Sequence, residues 1–281
     1  MILRRLFLAA LLALLAGCSA IQLGYRNADT FARWQANSYF DFEGAAAEEL
    51  DRRIAAFFAW HRAKALPQYA RLADEAATRG ARPLSREDLV WGYDAIRGQV
   101  REGLRAAATE AAPLLDRLTA EQLAHLERRL AEENRKFAKD NLAGSPEDRR
   151  KRRLKRNIER LEDWVGTLSD AQVERVRQYN DRAPSTESLR DRDRKRRQGE
   201  FVAMLRAREA TRRLPEWAAE WDAGREAAYA EAAKAQIALY LDMLLDIDKS
   251  LSPAQREHFV RHLKGYAEDF AALARDGGPA K

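Results

Sequence analysis

The chain has 281 residues, 46% hydrophobic and 33% charged, which suffices for one large helical core or two smaller ones and excludes an intrinsically disordered chain. The formal net charge is only +6, and arginine outnumbers lysine forty to ten; with heavy alanine usage, this is more simply a mark of GC-rich coding than of phosphate recognition. A single cysteine rules out a disulfide framework.

Met1 to Arg5 form a short positive segment, Leu6 to Ala16 an eleven-residue apolar run, and Leu15-Ala16-Gly17-Cys18 a small-residue cleavage site. The run is too short to span a bilayer as a permanent helix and has the layout of an export signal. The last four residues resemble the lipobox of bacterial lipoproteins; the plainer alternative is an ordinary signal peptide with a chance cysteine. The resemblance implies that residues 1–17 are removed and that Cys18 becomes the acylated N-terminus of a single helical periplasmic domain, 18–281. Several acyl chains, each methylene contributing about 0.8 kcal/mol on burial, make such an anchor effectively permanent. Ser19, where the family's inner-membrane retention signal places Asp, implies sorting to the periplasmic face of the outer membrane. Losing Arg4 and Arg5 lowers the net charge from +6 to +4. Ile21 and Leu23 already begin an apolar pattern, so no long tether separates lipid from body.

Beyond Cys18, apolar residues recur at helical spacing and alternating β-branched runs are missing, which predicts an all-α fold, an elongated bundle of about nine helices with no sheet. A first helix, Leu23 to Tyr39, carries Tyr25, Phe31 and Trp34 as core residues. A second, Ala45 to Thr78, has Leu50, Ile54, Phe57, Phe58, His61 and Leu72 on one side and a kink expected at Pro67. A third stripe runs Leu89, Tyr93, Ile96, Val100, Leu104 and ends near Pro113. Leu123, Leu126, Leu130 and Phe137 mark a fourth, Leu154, Ile158, Leu161, Trp164 and Val165 a fifth, and Asp170 to Arg182 a sixth. The seventh carries Phe201, Met204 and Leu205, with Pro215 expected to break it before Trp217 and Trp221. Ile237 to Leu245 and Phe259 to Leu273 mark the last two.

Four helix starts share one signature, Leu84-Ser85-Arg86-Glu87-Asp88, Leu118-Thr119-Ala120-Glu121-Gln122, Leu168-Ser169-Asp170-Ala171-Gln172 and Leu251-Ser252-Pro253-Ala254-Gln255. Each reads as a capping box with Ser85, Thr119, Ser169 or Ser252 as N-cap. The preceding leucine can staple onto Leu89, Leu123 or Val173 in the first three; Arg256 breaks the staple in the fourth. Leu118 to Gln122 also resembles the LTxxQ motif of the Spy-like periplasmic chaperones, which implies a helical, exported holdase for unfolded protein. Serine replaces threonine in two of the copies, and helix capping alone accounts for the pattern. More broadly, Cys18-Ser19, Tyr25, Trp34, Tyr39-Phe40-Asp41, Phe57, Trp60 and His61 resemble a family of uncharacterised, mostly helical proteobacterial lipoproteins, which brings no activity with it.

Candidate chemistry is sparse. His258 and His262 stand one turn apart and can share a metal ion, but lack the intervening glutamate of H-E-x-x-H and a third ligand, so they read first as boundary residues of an apolar stripe. Glu43, Glu48, Glu49 and Asp51 suit the start of a helix. Arg149, Arg150, Lys151, Arg152, Arg153, Lys155 and Arg156 fill seven of eight positions, and Arg190, Arg192, Arg194, Lys195, Arg196 and Arg197 form a second run. Export makes nucleic acid a poor partner; anionic lipid head groups are one candidate, and a solvated helix face paired with neighbouring acids is the simpler reading. The sequence therefore predicts a non-enzymatic outer-membrane lipoprotein without cofactor. It would touch the membrane through its lipid and bind an envelope protein or unfolded client; a holdase and a cell-wall-directed enzyme are the alternatives.

Overall fold

A computed structural model describes residues 20–276. Residues 1–19, and with them Cys18 and the cleavage site, lie outside the described residues. Twelve α-helices and one π turn account for the elements there: α1 (Ala20–Arg26), α2 (Ala28–Phe40), α3 (Gly44–Trp60), the π turn (His61–Ala65), α4 (Leu66–Gly80), α5 (Arg86–Leu115), α6 (Ala120–Asn141), α7 (Pro146–Val165), α8 (Asp170–Arg182), α9 (Glu187–Arg206), α10 (Ala210–Ala219), α11 (Ala227–Lys249) and α12 (Pro253–Arg275). The fold is all-α, and the described residues contain no strand. The helix count exceeds nine because three expected helices are divided, the first at Asn27, the second by the π turn at His61–Ala65 and the seventh at residues 207–209.

Prolines do not interrupt the chain where their chemistry suggests. Pro67 falls in the first turn of α4, where its missing N–H costs nothing, and the π turn just ahead replaces the expected kink: Leu66 N–H reaches back to His61 O across the wider ring. Pro113 and Pro215 both lie inside helices. The break expected at Pro215 occurs upstream, where Arg208 adopts a positive φ of 55° and Asp116, at the end of α5, accepts the Ala210 and Thr211 N–H groups at 2.6 and 2.9 Å. A carboxylate from another helix thus caps α10.

All four expected starts have full capping-box geometry, with Ser85, Thr119, Ser169 and Ser252 accepting from the N3 amide and the N3 side chain returning to the N-cap amide. A fifth box, Ser145 with Asp148, opens α7. Gly144 rather than a leucine precedes it, so it lacks the Leu-Ser/Thr signature that marks the other four.

Buried side chains collect into two cores. The first gathers Phe42, Leu50, Ala108, Ala112, Leu114, Leu115, Leu118, Leu126, Met204, Leu205, Ala210 and Leu214 from α3, α5, α6, α9, α10 and their connections. The second gathers Leu161, Val165, Leu168, Val176, Tyr179, Ala183, Met243 and Ile247 from α7, α8 and α11 and the loops between them. Two long elements link them. The α3–π–α4 rod starts beside the first core at Leu50 and packs its second half on α12. Helix α5, roughly 45 Å long at 1.5 Å per residue, runs from the α11–α12 junction to Leu114 and Leu115. Gly80, at the end of α4, lies so close to α12 that a Cβ there would sit 2.6 Å from the Phe259 ring.

Candidate functional site

Most charged residues that stand out in the sequence hold the helices together. In the first basic run, Arg149 donates to Leu142 O and Gly144 O, and Arg152 to Ala143 O, so both satisfy carbonyls left open at the end of α6. Arg153, largely buried, donates to Asn180 Oδ1 and Asn180 O at 2.8 Å each and pairs with Glu187. Arg150 faces Asp181, and Lys151 and Lys155 pair with Glu147 and Glu159 one turn away. Among the described residues Arg156 alone of the seven has no such partner. The second run is used in the same way: Arg197 stacks 3.9 Å over Trp217 and donates to Trp217 O, Arg192 grips Glu226, Arg194 bonds Asn134, and Arg196 joins Asp193, Glu200 and Ala223 O.

Two of the capping boxes meet. Gln172 is buried; its Oε1 accepts from Ser169 N, while its Nε2 donates to Gln255 Oε1 at 3.0 Å, and Gln255 Nε2 returns to Gln172 Oε1 at 2.9 Å and to Thr167 O. The starts of α8 and α12 are thereby locked amide to amide. Beside them Arg256, at the position where the staple failed, bonds both the side chain and carbonyl of buried Asp248 and the carbonyls of Gly80 and Arg82. Asp248 also accepts from Leu84 N. Asp88 is held by Arg82, Ser85 N–H and Arg79, which keep its carboxyl well below the usual range despite burial.

The histidines sit among aromatic rings. His258 and His262 stack at 6.1 Å, with Trp164 edge-on to His262 at 5.0 Å. No group of three or more His, Cys, Asp or Glu able to hold a metal ion occurs among the described residues. His61, in the π turn, bonds Tyr25 OH through Nδ1 at 3.0 Å, and burial followed by the Arg62 charge lowers its pKa. His125 approaches Ser38 O.

Eight large apolar side chains are also open to solvent among the described residues, Trp164 of the fifth stripe (37%) among them. Helix α5 exposes Ile96 (66%), Val100 and Leu104 on successive turns, with Val90 nearer its start. Ile96, Val100 and Leu104 were expected in the core, but among the described residues no helix covers that side of α5. Leu23, Phe31 and Trp34 of α1 and α2 are also exposed, at 62%, 62% and 63%, although sequence pattern placed Phe31 and Trp34 inside. Helix α2 instead turns Ala36, Tyr39 and Phe40 to the first core. A shallow groove lies between α6 and α9, with Leu130, Ala131, Val202 and Ala203 along it and the Glu127–Arg206 pair at its edge. No described helix is long and apolar enough to cross a membrane.

The fold and its surfaces define an all-α protein of packed long helices. The chain belongs to a family of unknown function, DUF6279, whose model matches residues 38–220. No curated protein and no solved structure matches the chain. The matched segment contains every buried member of the first core and stops short of α11 and α12, which complete the second.

Proposed function

We propose that the chain is a non-enzymatic lipoprotein, anchored through Cys18 to the periplasmic face of the outer membrane, that holds an envelope protein against α5. The observation that carries this reading is the stripe Ile96, Val100 and Leu104, solvent-facing on the longest helix. Apolar residues at this spacing suit a partner helix or an extended hydrophobic segment. The anchor rests on the lipobox-like Leu15-Ala16-Gly17-Cys18. Head-group binding by the basic run is a subsidiary element, carried by Arg156 with the exposed Lys151 and Lys155.

A photocrosslinking residue in place of Ile96 or Val100 should capture a discrete envelope protein in intact cells, while the same residue at exposed Glu174 on α8 should not. Equal yields at both positions would overturn the partner-binding role. Cys18→Ala should abolish palmitate incorporation; normal labelling would overturn the anchor.

The second reading, a Spy-like holdase, draws on the face-to-face pairing of the two LSxxQ segments through Gln172 and Gln255 and would use the same stripe. It requires near-stoichiometric suppression of client aggregation, lost in Ile96→Ser with Val100→Ser.

A further inference from the structure

We infer that α1 and the first half of α2 form an in-plane membrane-binding element, with Leu23, Phe31 and Trp34 seated in the interfacial layer of the leaflet that holds the acyl chains of Cys18. The inference rests on the lipoprotein reading and adds to it a fixed docking face. It starts from chain length: Leu23 is only five positions beyond Cys18, a reach of roughly 17 Å even when fully extended. Leu23 is therefore confined to the neighbourhood of the head groups whatever path residues 18–20 take.

The orientation of α1 is set by its opposite side. Gln22 Nε2 donates to Asp269 Oδ1 at 2.8 Å, Tyr25 OH meets His61 Nδ1 at 3.0 Å and packs edge-on to Phe58, and Arg26 lies 3.7 Å from Asp276. With those residues held on α12 and the π turn, Leu23 faces away from the body. Phe31 and Trp34 follow beyond the turn at Asn27, in the first half of α2; both are exposed, and their rings lie 5.6 Å apart. Asn27 alone separates the two helices, so the three exposed side chains belong to one short stretch of chain that meets the interfacial layer together. Tryptophan is favoured at that depth, and an exposed leucine, phenylalanine and tryptophan together are a poor fit to open water. Arg26 and Arg33, paired with Asp276 and Asp51 and partly exposed, stand at the border between the body and this face, within reach of anionic head groups.

The test uses the full acylated chain, purified from membranes and reconstituted in vesicles of phosphatidylethanolamine and phosphatidylglycerol. Cys18 is the sole cysteine, so acylation leaves an introduced cysteine as the one free thiol. Leu23→Cys, Phe31→Cys, Trp34→Cys and, as control, Ile96→Cys are each labelled with an environment-sensitive dye and exposed to lipids bearing a quencher just below the head groups. The expected result is a blue-shifted emission and several-fold stronger quenching at positions 23, 31 and 34 than at 96. Acylated protein that floats with the vesicles but shows equal quenching at all four positions overturns the docking face and leaves the anchor intact. Energy transfer between labels on two copies, without lipid quenching, also overturns it and assigns the patch to self-association. A chain that carries no acyl group overturns the anchor, and the docking face with it.

Discussion

Around the first core, the fully buried large side chains are apolar, Leu126, Met204 and Leu205, whereas around the second Val176 shares its burial with Gln172 and Asn180. Four of the five buried polar residues, Asp88, Gln172, Asn180 and Asp248, lie at that second end; Gln172, Asn180 and Asp248 are bonded to distant parts of the chain, and Asp88 to Arg79, Arg82 and Ser85 across the α4–α5 turn. Apolar contact is non-directional, so the first core draws its stability from area and volume. Hydrogen-bonded knots are directional and contribute modestly when complete, but leave a costly unsatisfied group when one member is lost. The second end therefore specifies how α4, α5, α8, α11 and α12 meet, and the first supplies bulk.

The largest expected loss tests the first half of this contrast. Leu126→Ala should lower the unfolding free energy by about 2–5 kcal/mol, measured by urea titration, because Leu126 is fully buried in that core and its truncation leaves a cavity. A loss under about 1 kcal/mol would mean that core is loosely packed. Gln172→Ala should cost about 1–3 kcal/mol by stranding Gln255 and Ser169 N–H, more than Thr119→Ala at about 0.5–2, since the Thr119 box is exposed and its glutamine reaches only Asp41 O. Equal costs would remove the distinction between an interlocked cap and an isolated one.

The smallest effect is in pH dependence. The Asp88 carboxyl is held below its unfolded value of about 3.9, so its contribution is complete above that pH and is lost as pH falls below it. Asp88→Asn should therefore be less stable than wild type at neutral pH, with the gap narrowing in urea titrations repeated between pH 5 and pH 3. A gap that stays constant would show that Asp88 is not the acid-sensitive member of the knot.

Much of the fold was legible because it is local. The capping boxes at Ser85, Thr119, Ser169 and Ser252 need only neighbours in sequence, and Asp170–Arg182 begins and ends where its signals put it. The rest depends on partners far along the chain. Nothing near Pro215 announces that Asp116 caps α10 from another helix, and nothing near Arg256 shows that its failed staple becomes a clamp on Asp248. Periodicity identifies the apolar side of a helix without saying whether anything covers it; hence Ile96, Phe31 and Trp34 read as core and stand exposed. Density of charge misled in the opposite sense, since Arg149, Arg152 and Arg153 are spent on carbonyls and amides within the chain.

The π turn at His61–Ala65 bears on which insertions and deletions this chain tolerates. The surplus residue it carries shifts the phase of everything downstream, so removing one codon there would yield an unbroken α-helix while rotating α4 by about 100° about its own axis. Leu66, Ala77 and Gly80 would swing off α12, and the clearance that Gly80 gives Phe259 would pass to a residue with a side chain. A loop can lose a residue and re-close; this rod cannot, because both of its ends are already engaged. Genetic variation in length should accordingly collect in the connections between helices and be purged from this one turn.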